Sequence, residues 1–367
     1  MDIFAVVSSV LYFFLHIIFF FGFIRSNSLK RNIKFRDINV TVIVAARNED
    51  EIISRCISSL KKLNYNRDLL QIILVNDKST DSTKSIMLNE TKELHHFFII
   101  DSDDTTLKNL KGKANAIDSA IKIAKGDIIL MTDADCIIPE NWVSETVKYY
   151  SENIQMVCGF TKINYKNSFF AKLQALDWIY LQSLASCSSG IGKILSCIGN
   201  NLTFTKKVYN DVGGFKNINF SVTEDLALMR KINSDKHYKV VYPINPECSV
   251  ITEECKTIKE LYNQKKRWFK GGLGINYLGW ILGFELYIVN LILFFGILFL
   301  DFYLYFFLIT IKLCSELLII LPVYFKLRFK GLLLYFPIFQ IYFSIYGLLL
   351  PFTFLLSTKI NWKDRKL

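Results

Sequence analysis

Residues 128–137 read IILMTDADCI: an apolar run delivers two aspartates, Asp133 and Asp135, with one residue between them. A short continuous apolar run of this kind suits a strand buried on both faces. Leaving even a neutral polar group without a partner away from water costs roughly 2–7 kcal/mol, and a bare charge costs more. Either the strand ends at the aspartates and water reaches them, or a positive group stands beside them. In extended chain, residues two apart point to one side, so the two carboxylates converge. Oxygen ligands there suit a divalent cation, and Mg²⁺ commonly takes one or two carboxylates plus substrate phosphates.

The same design recurs upstream. TVIVAARNEDE (41–51) and IILVNDKSTDST (72–83) are apolar strands running into polar turns and helix starts. With HFFIID and DIILMTD they alternate with helical stretches across residues 38–250, the pattern of βαβ units and a mostly parallel sheet. Ligands of open α/β sheets bind at the carboxyl ends of the strands, which singles out the turn Ala45–Glu49 with Arg47, and Asp77. KGKANAID (111–118) sets Lys113 before a helix, where an ammonium suits a phosphate. Glu224 and Asp225 precede a helical pattern; they favour the helix dipole, and either is placed to act as a general base for a hydroxyl nucleophile. In TIKELYNQKKRWFKGG (257–272), apolar residues fall at helical spacing with lysines elsewhere, an amphipathic interfacial helix. Gln264, Arg267 and Trp268 share one face of it, with Arg suited to phosphate and Trp to a sugar ring.

The flanks are apolar. Residues 3–24 are long enough to span a bilayer, and the basic cluster Arg25, Lys30, Arg31, Lys34 follows them. That order describes a retained anchor with the following chain in the cytoplasm. Further spans are expected at 278–300, 302–325 and 331–357; three full crossings would put the basic tail outside, so either the last block is re-entrant, broken near Pro337 or Pro351, with the tail inside, or the positive-inside rule fails here. Lys312 and Glu316, four apart in the middle block, are expected to pair. The net charge of +11 suits nucleic acid, an anionic membrane face or an acidic substrate. The apolar blocks decide for the membrane and against a nucleic acid polymer. Eight cysteines without a CxxC pair, and only four histidines, argue against a zinc site and a disulfide framework.

The ordered set ARNEDE, VNDKSTD, GKANA, TDADC, GNNL, GGF, TED and QKKRW resembles family 2 glycosyltransferases of the membrane-bound branch, over roughly 38–275. That branch includes cellulose and hyaluronan synthases and ceramide glucosyltransferases. The resemblance implies a nucleotide-sugar-binding α/β domain of the GT-A type, with a mixed, mostly parallel sheet flanked by transmembrane helices. Its parts would be an anchor (1–25), the GT-A domain (38–255), an interface helix with the QxxRW motif (256–277), C-terminal helices (278–357) and a basic tail (358–367). It implies that Ala45, Arg47, Glu49, Asp77, Lys113 and Asp133 hold the nucleotide sugar and that Asp135 ligates Mg²⁺ or Mn²⁺. Asp225, beside Glu224, would be the catalytic base, and Asn201, Gln264, Arg267 and Trp268 would face the diphosphate and acceptor. The expected activity is inverting transfer from a nucleotide-diphosphate sugar, UDP-linked by expectation, to a hydroxyl of a lipid-like acceptor at the cytoplasmic face of the bilayer. A processive polysaccharide synthase acting on a glycan is the alternative, and a non-catalytic binding or transport subunit a third reading.

Overall fold

The computed structural model describes residues 2–29, 31, 38–166, 168–356, 361–362 and 365–366. The chain runs α1 (Asp2–Asn27), β1 (Val40–Ala46), α2 (Ile53–Lys61), β2 (Leu70–Asn76), α3 (Thr83–Thr91), β3 (Phe97–Asp101) and α4 (Lys113–Ile123). It continues with β4 (Ile128–Asp133), α5 (Trp142–Thr146), β5 (Ile154–Cys158), β6 (Thr161–Ile163), α6 (Phe169–Gly190), β7 (Leu202–Thr205) and α7 (Lys206–Asp211). Then come α8 (Glu224–Asn233), β8 (Lys239–Val241), β9 (Val250–Thr252), α9 (Ile258–Gly272), α10 (Tyr277–Gly296), α11 (Phe302–Lys326) and α12 (Phe336–Leu356). Lys30, Lys34 and most of the basic tail lie outside the described residues; within the tail, β10 (Asn361–Trp362) pairs with β11 (Arg365–Lys366).

These elements form two compact units. One holds the sheet, seven strands in the order β3-β2-β1-β4-β7-β5-β8. The first four are parallel; β7 runs antiparallel to both β4 and β5, and β8 is parallel to β5. All seven residues of β2 are buried, which explains the unbroken apolar stretch Ile72–Val75 at its centre. Val42, Val44, Ile72, Leu74 and Leu130 pack with Ile53, Ile57 and Leu60 of α2 and Trp142 of α5 in one core. The expected α/β domain with a mixed, mostly parallel sheet is therefore present.

The other unit is helical and collects α1, α6 and α9 to α12. Among the described residues, four segments are long and apolar enough to cross a bilayer: Asp2–Asn27, Tyr277–Gly296, Phe302–Lys326 and Leu332–Phe352. The expected break in the last block is absent, because α12 runs unbroken from Phe336 to Leu356. Pro337 falls in its first turn, where a missing N–H costs nothing, and Pro351 is accommodated inside the helix. Lys312 and Glu316 do pair, at 2.8 Å, and Glu316 also accepts from Tyr12 of α1 at 3.2 Å and from Gln340 of α12. The sequence reading assigns no helix to 169–190, yet α6 is 22 residues long and largely buried in this unit.

The crossing of α1 and α6 depends on two glycines. A Cβ on Gly22 would stand 2.2 Å from the Cys187 carbonyl oxygen, and one on Gly190 would stand 1.8 Å from the Gly22 oxygen. Small residues let helix backbones approach this closely in membranes. Replacing Gly22 by Leu is expected to destabilise the detergent-solubilised protein by about 1–3 kcal/mol through overpacking, read as a lowered thermal unfolding midpoint. An unchanged midpoint would mean that the helices do not meet at these glycines.

Candidate active site

The sheet aligns three loops at the carboxyl ends of its strands. Ala45 of β1 is level with Val75 of β2 on one side and with Asp133 of β4 on the other. Just past β2, the Asp77 amide donates to the Ala46 oxygen at 2.8 Å, and its carboxylate accepts from the Ser102 hydroxyl at 3.0 Å. Arg47 donates to the carbonyl oxygens of Asp77 (2.9 Å) and Lys78 (3.0 Å), so its guanidinium ties the first loop to the second. The loops also interlock through Asn48, whose amide donates to Ser79 at 3.2 Å and whose side-chain oxygen accepts from the Thr80 amide at 2.9 Å. The Glu49 amide donates to Thr83 at 2.8 Å. Asn48 and Lys78 both hold left-handed backbone, with φ of 51° and 56°. Such strain costs of order 1–3 kcal/mol each and persists only where the surroundings enforce it; here the cross-loop bonds do so.

β4 ends at Asp133, and Asp135 lies in the turn beyond it, closed by the Cys136 amide donating to the Asp133 oxygen at 3.2 Å. The extended geometry expected of the pair is thus replaced by a turn, because the strand stops at Asp133, two residues before Asp135. The carboxylates remain neighbours nonetheless. Asp135 accepts from Thr252 at 3.2 Å and from the Cys136 thiol at 3.4 Å. Burial, followed by the Asp133 charge, pushes its carboxyl above the ordinary aspartate value.

The positive group is Lys113, the first residue of α4. Its ammonium forms an ion pair with Asp133 and lies 3.7 Å from Glu224. Burial works against its charge, but the carboxylates of Asp133, Glu224 and Asp225 outweigh it and hold the ammonium above the ordinary lysine value. The start of α8 is thereby joined to the end of β4. Asp225 accepts from the Leu226 amide at 2.8 Å, and Gly199 packs against it closely: a Cβ there would stand 3.0 Å from the carboxylate.

Asn201 is buried, accepts from the Trp142 indole at 2.9 Å, and donates to the carbonyl oxygens of Phe160 and Cys248, each at 2.8 Å. Its amide braces the strands behind the acids. Gln264, Arg267 and Trp268 lie on α9, in the helical unit. There the lysines expected to point outward at 265 and 266 are buried, while Ile258 is 79% exposed. The sheet unit brings together Ala45, Arg47, Glu49, Asp77, Lys113, Asp133, Asp135, Glu224 and Asp225. Sequence reasoning missed Ser102, Thr252 and Gly199, which touch Asp77, Asp135 and Asp225; each lies tens of residues or more from its partner or carries no chemical signature of its own.

Comparison with known proteins places this arrangement. The family profile of glycosyl transferase family 2 matches residues 41–226. A poly-beta-1,6-N-acetyl-D-glucosamine synthase of Staphylococcus epidermidis is 28% identical over 275 residues, 74% of this chain and 63% of that one. A synthase of the same description from Staphylococcus aureus is 29% identical over 246 residues, 64% of this chain and 56% of that one. The chain thus spans less than two thirds of the length of these relatives. Among solved structures, a mannosyltransferase of Pyrobaculum calidifontis in complex with GDP-Man and Mn²⁺ is similar with a TM-score of 0.59 at 16% identity, covering 90% of this chain and 99% of that one. At that identity the likeness concerns the fold.

If Asn201 is a brace, Asn201→Leu strands one indole donor and two carbonyl acceptors. Stability is then expected to fall by roughly 1–3 kcal/mol for each group left unsatisfied, read by chemical unfolding. A stable Asn201→Leu protein with altered substrate affinity alone would instead make it a substrate contact.

Proposed function

The chain belongs to glycosyl transferase family 2, and from that premise we propose that it moves a sugar from a nucleotide diphosphate to an acceptor hydroxyl with inversion at the anomeric carbon. Its sheet unit is a GT-A type α/β domain, and four apolar helices flank it in sequence. The observation that carries the reading is the placement of Lys113 between the acid at the end of β4 and the acid pair that opens α8.

The division of labour follows from the chemistry of the residues. Asp77 and the Ala45–Glu49 loop receive the nucleoside, and the interlocked loops keep that cradle from rearranging. Lys113 offers its ammonium to the diphosphate side of the donor. Asp135 and Asp133 fit a Mg²⁺ or Mn²⁺ ion, because two close carboxylates leave the remaining positions to phosphate oxygens and water. When bound, such an ion offsets the charge that builds on the departing diphosphate. Asp225 takes the proton of the acceptor hydroxyl as that oxygen attacks the anomeric carbon from the face opposite the diphosphate. The carbon–diphosphate bond breaks as the new glycosidic bond forms, and no covalent sugar–enzyme intermediate arises. Gln264, Arg267 and Trp268 receive the acceptor, with the indole as a stacking face.

For the acceptor, the resemblance to polymer synthases over 74% of the chain favours a growing glycan, and UDP-N-acetylglucosamine as donor. Single addition to a lipid-like acceptor is the second reading, supported by the four candidate spans among the described residues, a small number for a polymer channel. The catalytic unit, taken as 38–255, faces the cytoplasm in both, as the basic residues after the first span favour.

Membranes containing the protein, incubated with a panel of labelled nucleotide sugars, test this directly. Incorporation into polymer is expected; a lipid-sized product would select the second reading, and no incorporation from any donor would overturn the transferase reading. A positioned base contributes about 10²–10⁴-fold, so Asp225→Asn should lower transfer by that factor while nucleotide affinity holds. Should affinity fall in step with transfer, Asp225 belongs to the donor site. Asp135→Ala should abolish metal-stimulated transfer in a protein that still inserts in the membrane. Near-normal turnover with unchanged metal response would sink the metal role.

A further inference from the structure

Within the helical unit, α6 and α9 meet through two adjacent residues on one and two residues three apart on the other. Asp177 is fully buried, and its carboxylate takes up the Lys265 ammonium on one oxygen and the Tyr346 hydroxyl, at 2.7 Å, on the other. The neighbouring Trp178 packs its ring against Trp268 with centroids 5.4 Å apart. Lys265 and Trp268 share a helix face as i and i+3, and the ammonium lies 4.9 Å from the ring centres of both Trp268 and Tyr346. The Trp268 indole is therefore bounded by a cation held by Asp177 and by the residue next to Asp177.

An ion pair buried this deeply is a poor source of stability. Desolvating both charges offsets their attraction, and well-packed apolar replacements are often as stable or more so. What the pair supplies is direction: Lys265 has one anionic partner in this cluster and two aromatic faces to lie over, and the indole beside it has one setting that keeps both. We propose that Asp177 is a positioning residue for the transfer reaction, fixing the Trp268 indole through Lys265 in the setting that receives the acceptor. This rests on the transferase reading and on Trp268 receiving the acceptor.

The consequence is a change in partition. With the indole released, the acceptor is held poorly while the donor site is untouched. Water then attacks the anomeric carbon more often, its proton passing to the base, and free sugar and nucleoside diphosphate leave. A purely structural defect would depress transfer and hydrolysis together.

The test uses full-length protein in membranes and the labelled nucleotide sugar that the unaltered protein accepts, comparing free sugar with incorporated sugar. Asp177→Asn keeps the shape and an acceptor for Tyr346 but removes the charge; the hydrolysis-to-transfer ratio should rise about tenfold, within the range of coupling between contacting residues. Nucleoside diphosphate affinity, by calorimetry, should stay within about twofold, since the donor cradle is untouched. Removing the stranded cation as well, in Asp177→Asn/Lys265→Met, should recover part of the ratio. Should Asp177→Asn fail to accumulate, Tyr346→Phe deletes only one hydrogen bond to Asp177 and should shift the ratio in the same direction by about two- to threefold. An unchanged ratio in either variant, or equal losses of transfer and hydrolysis, would overturn the positioning role. Inactivity of the unaltered protein with every donor would instead overturn the transferase reading beneath it.

Discussion

One half-buried ammonium organises the sheet unit's chemistry. Lys113 lies between Asp133 and Glu224, residues 91 positions apart in the chain, with the Asp225 charge also acting on it. Without a cation these carboxylates would repel one another in a partly desolvated space, and an unpaired buried charge costs several kcal/mol. With it, the end of a rigid central strand and the beginning of α8 are held in one place. The ammonium sits at the first residue of α4, so helix and sheet packing fix where that cation stands. The same arrangement leaves Asp135 poorly compensated, since burial and the neighbouring carboxylate both disfavour its charge.

The sheet supplies the precision. β1 lies between β2 and β4, and their registers bring Ala45, Val75 and Asp133 level. The loops that follow are strained at Asn48 and Lys78 and are locked to each other rather than to solvent. Function placed on loops needs this support from a rigid scaffold. The cross-loop bonds to Asn48, Arg47 and Glu49 explain why a polar turn of this composition keeps one shape.

Much of this was legible before any coordinates. β1, β2 and β4 are buried on both faces, so they read as continuous apolar runs, and each ends where polar residues begin. Asp77 and Asp133 stood out because acids at such ends conflict with burial, and Glu224–Asp225 because the pair opens a helical pattern. Side-chain alternation misjudged Asp135, because it assumes that the strand continues, and the chain turns instead. α6 escaped notice because ASCSSG at its end carries small and polar residues that resemble a loop; those residues are small to let α1 approach. The burial of Lys265 was not legible either, since its partner Asp177 lies 88 positions away. The contacts of Asn201 with the Trp142 indole and the Phe160 and Cys248 carbonyl groups were not legible, because those partners lie 41 to 59 positions away.

The central claim is a single displacement at the anomeric carbon, with the base on α8 and the diphosphate on the side of β4. Its most direct test is the anomeric configuration of the product, determined by NMR on material made from an α-linked nucleotide sugar. The account requires a β-linkage in the product. An α-linkage would contradict it, because a single displacement from the face opposite the diphosphate cannot retain the anomeric configuration.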